Sequence, residues 1–188
     1  VTDNGDVDPW TMNTTDIQKI ENAIEAYYTV MPVDATDSMD PLWRAFRWGD
    51  VAEFIVLDSR YERSPRNAGE YISVAQMSFL KDTLSNSPCQ FKVVLSSVPF
   101  AILTGWFGVA SADRWEGYGD QRQEVLDHIT NNGISGVVFL AADIHTSYVG
   151  AIDQGASMRE ICVTSGNSNP LAGLLNGQQF PYKTGDST

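Results

Sequence analysis

An aspartate and a histidine stand two positions apart in FLAADIHTSYVG (139–150), at the end of an apolar run, in a chain of 188 residues that has two histidines. On an extended segment, side chains at i and i+2 project from the same face, so Asp143 and His145 can converge while Ile144 packs the other way. A carboxylate beside an imidazole suits iron, zinc or manganese, and the carboxylate also suits calcium. Two donors do not hold a metal alone, so further ligands must come from other strand ends. The triplet also has an ordinary explanation, in which Asp143 caps a turn and His145 bonds a backbone carbonyl; on spacing alone that explanation is the commoner one. The second histidine, His128, falls on a helical stretch beside Asp127 and reads as structural.

Composition narrows the partners. With 24 Asp plus Glu against 12 Lys plus Arg, the net charge is −12, and no basic stripe offers itself to a nucleic-acid backbone. An anionic substrate is repelled at long range unless bound cations or a local arginine reverse the field. Cys89 and Cys162 lie far apart without a C-x-x-C pair, which excludes a zinc knuckle and a redox dithiol and leaves one disulfide or two buried thiols. No run of about 18 apolar residues occurs and the first residues carry no signal core, so nothing in this chain reads as a membrane span. No G-x-S-x-G is present, which makes a serine hydrolase a poor fit.

The elements that must position these residues follow from periodicity. One domain, 1–188, is expected, with a real hydrophobic core. Ile17, Ile20, Ile24 and Tyr27 fall at helical steps, with Thr15 and Gln18 spaced as a capping box, so a helix should run to about Tyr28. VAEFIVLDSR (51–60), FKVVLSSV (91–98) and GVVFLA (136–141) read as buried strands. Ser73 and Gln76 form a second capping-box spacing, and Val74, Met77, Leu80 and Leu84 give that helix an apolar stripe. A third helix should run from Asp120 to Asn131, with Gly133 as its left-handed C-terminal cap. YVGAI and REICVTS resemble a hairpin turning at 153–157, and residues 167–188 read as a long surface loop. This alternation is that of an α/β sheet covered by helices.

The flanks of the Asp-x-His pair carry a family likeness. DRWEGYGDQRQEVLDHITNNGISGVVFLAADIHTSYVG resembles the alkaline phosphatase D family, the PhoD-like metallophosphatases, which have W-x-G-Y, an Arg-started helix and an apolar strand ending in G-D-x-H. MPVDATDSMDPLWRAFRWGDVAEFIVLDSRYER is similar to that family's M-P, R-x-F-x-W-G and L-D-x-R stretch, and YISVAQMSFLKDTL and FKVVLSSVPF follow in the expected order. Val1-Thr2-Asp3-Asn4 looks like the end of the family's D-D-H-E-V-x-N-N segment, so the resemblance implies a metallophosphatase-like α/β sandwich lacking its N-terminal half. Carried over, it implies that Asp143 and His145 are catalytic metal ligands with Asn4 as a further ligand. It also implies that Arg60 contacts phosphate, with a salt bridge to Asp58 or Glu62 as the alternative, and that Trp115 and Tyr118 wall the substrate pocket, with satellite core as theirs. Arg122 opens a helix against its dipole, which hints at an anionic partner. The family's glycine before the ligand aspartate is Ala142 here, a strain of about 1 kcal/mol if that position needs positive φ.

The resemblance implies a metal-dependent hydrolase of phosphomonoesters, with diesters as a further class, extracellular or periplasmic, using calcium and iron for in-line attack on phosphorus. Two cations would also offset the acidic charge. A chain lacking several ligands is expected to be inactive alone and to need a second polypeptide to complete the sandwich. The alternative from another class is a non-catalytic, phosphatase-derived binding module in a larger assembly.

Overall fold

Val, Ile, Leu and Phe at 52–56, 91–95 and 137–141 put bulky, β-favouring side chains on both faces of the backbone, as strands covered on two sides require. The computed structural model describes residues 14–33, 41–60, 62–63, 70–103, 114–152, 158–163 and 182–183. The chain divides into two compact units, residues 1–42 and 43–188.

In the first unit, α1 (Thr14–Val30) passes Tyr28 by two residues before Pro32. The Gln18 amide donates down the helix to Glu21 Oε2 (3.2 Å) and Asn22 Oδ1 (3.1 Å), and the Thr15 side chain of the expected capping box lies outside what the structure describes.

The second unit holds, among the described residues, a seven-stranded sheet with helices packed on it. Its strands are β1 (Arg44–Trp48), β2 (Ala52–Val56), β3 (Phe91–Leu95), β4 (Val137–Ala141), β5 (Tyr148–Ala151), β6 (Arg159–Cys162) and β7 (Tyr182–Lys183), in the order β1-β2-β3-β4-β6-β5-β7. β2, β3, β4 and β6 run parallel, while β1, β5 and β7 are antiparallel to their neighbours. The β5–β6 hairpin matches the sequence expectation, its turn at 153–157 lying outside the described residues. Two strands do not come from the sequence pattern. β1 has no apolar run and is held by pairing with β2, with Phe46 stacked on Phe54 at 5.2 Å. β7 lies in the tail read as loop, where Tyr182 and Lys183 pair with Val149 and Tyr148.

Helices α2 (Val74–Asn86) and α3 (Gly119–Asn131) share one buried cluster with the strands: Ile55, Val94 and Phe139 from the sheet with Leu80, Leu84, Val125 and Ile129 from the helices. His128 is structural, as expected, and bridges the two helices: its Nε2 lies 2.9 Å from Ser85 Oγ and 3.1 Å from Lys81 O. Gly133 has φ +61 and closes α3 as a Schellman motif, with Ile134 N–H donating to Ile129 O and Gly133 N–H to Thr130 O. The opposite face is different. Cross-strand register aligns Val56, Leu95, Leu140, Ile161 and Val149 into one apolar row over five strands, and all five are only half-buried.

Cys89 and Cys162 are both buried free thiols, which resolves the disulfide alternative, and burial pushes the Cys162 thiol well above its ordinary range. Among the described residues no helix is long and apolar enough to cross a membrane. Ellman's reagent should find two thiols per chain in denaturant and fewer than one in the native state over minutes at pH 8. Gly136 has φ +72, and an added Cβ would lie 2.0 Å from Gln90 O, whereas one at Gly133 meets nothing within 4 Å. Gly136→Ala should therefore lower the unfolding free energy by more than about 2 kcal/mol, and Gly133→Ala by about 1 kcal/mol, in urea titrations.

Candidate functional site

Because β2, β3 and β4 are adjacent and parallel, their carboxyl ends open on one edge of the sheet, where α/β folds place ligands. Residues 57–60, 96–98 and 142–147 leave the sheet there. Leu57 N–H and Ser96 N–H still bond to the neighbouring strands; beyond them side chains take up much of the exiting backbone's hydrogen bonding.

At the β2 exit, the buried Gln76 amide grips the backbone of Asp58 on both sides: Asp58 N–H donates to Oε1 (2.8 Å), and Nε2 donates to Asp58 O (3.0 Å). Gln76 thus leaves the expected capping box half-formed. Ser73 Oγ accepts from Gln76 N–H at 3.2 Å, while Ser73 N–H donates to Glu62. Asp58 Oδ1 accepts the Arg60 N–H at 3.1 Å, an Asx turn that redirects the chain just before the guanidinium. At the β3 exit, Ser96 turns inward, donating to Val98 O (2.7 Å) and accepting from Trp115 Nε1 (3.2 Å). Ser97 faces the other way and shares a 2.6 Å hydrogen bond with Ser59.

The β4 exit is a turn, not an extended segment. Ile144 N–H donates to Ala142 O at 3.0 Å, and Asp143 (φ 74) and His145 (φ 55) are the non-glycine residues of positive φ among those described. Each such conformation costs roughly 1–2 kcal/mol, though Asp and His tolerate it better than most. Strain of this kind gathers at functional sites. Ile144 and Thr146 are buried beneath, in or beside a small cluster of Leu103, Ala141, Tyr148 and Cys162, so Asp143 and His145 both stand exposed. The extended segment on which i, i+2 spacing would make the two side chains converge is not present; both are exposed on left-handed backbone instead. Ala142 is not a positive-φ position, so its departure from glycine introduces no strain there.

Arg60 Nη2 donates to Asp143 Oδ2 at 2.9 Å, across 83 residues of sequence. Both side chains are partly exposed, so the pair contributes at most about 1 kcal/mol to stability. Its effect is positional, since it brings the β2 exit against the β4 exit over Ser97. Among the described residues the His145 ring has no hydrogen-bond partner. The carboxylate and imidazole have the chemistry of a mixed oxygen and nitrogen metal site. Yet among the described residues no third Asp, Glu, His or Cys joins them. Two such donors do not by themselves make a metal site.

The other anticipated residues fall elsewhere. Asn4 lies outside the described residues. Trp115 and Tyr118 sit on a 3-10 turn (Trp115–Tyr118), at 0% and 4% exposure, packed against Tyr71 at 4.5 and 4.9 Å. Both belong to the main buried cluster with Ile55, Val94 and Phe139, and not to a satellite core, and they offer almost no exposed surface to wall a pocket among the described residues. Arg122 is also internal. Its Nε donates to Phe100 O at 2.7 Å and its guanidinium lies 5.1 Å over the Phe100 ring, and its charge favours the ionised form of the buried Glu160. Ser59 and Glu160 went unnoticed in the sequence, where Gln76 reads only as half of a capping box. Glu160, a charge inside the strand REICV, was the visible signal.

Comparison with known proteins follows the same residues. The family model for PhoD-like phosphatases matches residues 4–185. An alkaline phosphatase D of Bacillus subtilis (strain 168) is 28% identical over 148 residues, covering 67% of this chain and 25% of the relative. A solved structure of PhoD superposes with a TM-score of 0.71 at 23% identity, covering 86% of this chain and 37% of that one, and shares the fold. The chain thus spans a quarter to about two fifths of the length of these relatives.

If the turn at 142–146 is strained as observed, glycine should relieve it. Asp143→Gly and His145→Gly should each be more stable than the matching alanine variant by about 1 kcal/mol in urea titrations, the reverse of their order at an ordinary exposed position.

Proposed function

This chain belongs to the PhoD-like phosphatase family, and from that membership we propose that the polypeptide it comes from is a phosphoester hydrolase acting where Arg60 meets Asp143. The observation that carries the reading is the meeting of the Arg60 guanidinium and the Asp143 carboxylate at the strand ends, with His145 two residues further on and both Asp143 and His145 on strained backbone. A planar guanidinium fits two oxygens of a phosphate ester, and Asp143 Oδ2 fixes where it points. The Ser59–Ser97 hydroxyl pair beside it suits a further phosphate oxygen. In an acidic chain, such a local cation is required for an anion to settle.

Asp143 and His145 would hold metal, with calcium and iron as the pair the family likeness favours, together with donors from outside the described residues. Bound there, the metal would supply Lewis acidity and offset the phosphate charge. Phosphomonoesters are the proposed substrates and diesters a further class. The reading also places the protein outside the cytoplasm.

The half-exposed apolar row on the second sheet face supports one more element of this reading: a further layer of polypeptide covers it, as the remaining length of the relatives would allow. Asp143→Asn and His145→Ala in the full-length parent should each reduce p-nitrophenyl phosphate turnover by at least about 100-fold, the scale of losing a metal ligand's support, with circular dichroism unchanged. Unaltered turnover in either would remove the assignment, and metal content below about a tenth of an equivalent in the parent would favour a non-catalytic module.

A further inference from the structure

Glu160 sits within β6 at 0% exposure. Its two carboxylate oxygens collect three donors: Phe100 N–H on Oε1 at 2.6 Å, Ala101 N–H on Oε2 at 3.0 Å, and the Tyr148 hydroxyl on Oε2. Phe100 and Ala101 belong to the irregular segment that continues from the β3 exit, and Tyr148 opens β5 directly after the Asp143–His145 turn. One buried anion therefore fastens two of the segments around the candidate site.

Other side chains complete the fastening. Arg122 donates to Phe100 O at 2.7 Å, and Leu103 N–H donates to Glu116, which is itself paired with Arg114 at 2.6 Å. The backbone from Phe100 to Leu103 is thus held by partners from β6, α3 and the 3-10 turn, where a strand would have used a ladder. From Tyr148 the connection runs on to the turn. Tyr148 and Ile144 share a buried cluster with Cys162, whose thiol donates to Thr146 O (3.7 Å) and Ala142 O (3.8 Å). Burial raises the pKa of Glu160 and its three donors oppose that rise, while burial and Glu160 together raise that of Tyr148.

We propose that Glu160 is a positioning residue whose carboxylate, through Tyr148, holds the Asp143–His145 turn in register with the 98–103 segment. A carboxylate is suited to this because it accepts on both oxygens; an amide must turn an N–H toward one of the donors. The inference deepens the hydrolase reading and rests on it for what the turn is held to do. Its test reads the backbone, so it stands or falls separately from hydrolysis.

The experiment is amide hydrogen exchange by NMR on the 188-residue chain with Glu160→Gln and Tyr148→Phe, using Leu84 in α2 and Ile129 in α3 as internal references. Glu160→Gln should speed exchange at Phe100 and Ala101 by at least about tenfold relative to the references, the effect of losing a hydrogen bond to a charged acceptor. It should also speed exchange at Ile144 in the turn. Tyr148→Phe keeps both backbone contacts to Glu160 and should speed Ile144 while leaving Phe100 and Ala101 near their original rates. Equal acceleration of every amide, or an unchanged Ile144 in both variants, would reduce Glu160 to a core stabiliser and overturn the proposal. If Glu160→Gln does not fold, the Ile144 rate in Tyr148→Phe decides the matter alone. Hydrolysis by the parent carrying Tyr148→Phe gives the separate reading: absent activity in the unsubstituted parent removes the proposed function, and the exchange result still judges the positioning role.

Discussion

A parallel sheet must end, and where β2, β3 and β4 end, their exiting backbone loses its ladder of hydrogen bonds. A buried polar backbone group without a partner is costly, so side chains satisfy the backbone beyond β2 and β3, while the β4 exit closes on itself as a turn. Gln76 does this for Asp58, Ser96 for Val98, and Glu160 for Phe100 and Ala101. These bonds fix more than stability. They set where the Arg60 guanidinium, the Ser59–Ser97 pair and the Asp143–His145 turn come to rest, and the site is assembled from those positions.

The same sheet has two unlike faces. One is closed by α2 and α3 over a core that includes Ile55, Val94 and Phe139. The other presents Val56, Leu95, Leu140, Ile161 and Val149 in a half-buried row. Strands apolar on both faces belong in sheets covered on both sides. The chain's partial span of its relatives is consistent with that asymmetry.

Charge works against an anionic ligand over most of the molecule and for it at one edge. The chain carries a net charge of −12, so the long-range field repels phosphate. Arg122 and Arg114 do not help, since they are buried against Phe100 and Glu116. Arg60 lies partly exposed at the strand ends, paired with Asp143, and in the proposed function it is the local cation acting within a field that salt screens over about 8 Å. Position, and not the total of basic residues, decides where an anion can be held.

The sequence by itself determined the parallel strands β2, β3 and β4, the helices α2 and α3 with the Gly133 cap, and the β5–β6 pair. Each is written in local periodicity or in a residue with one backbone preference, such as the apolar stripe of Met77, Leu80 and Leu84. It also marked Asp143, His145 and Arg60 by residue type. Only tertiary structure decided that β1 and β7 are strands, because neither has an apolar run and both exist through the neighbour they pair with. It decided that Trp115 and Tyr118 face the core, that Gln76 and Glu160 hold exits instead of capping or facing solvent, and that Asp143 meets Arg60. Those outcomes depend on groups far apart in the chain, 83 residues in the last case, and no local pattern encodes which distant partner a buried polar group will find.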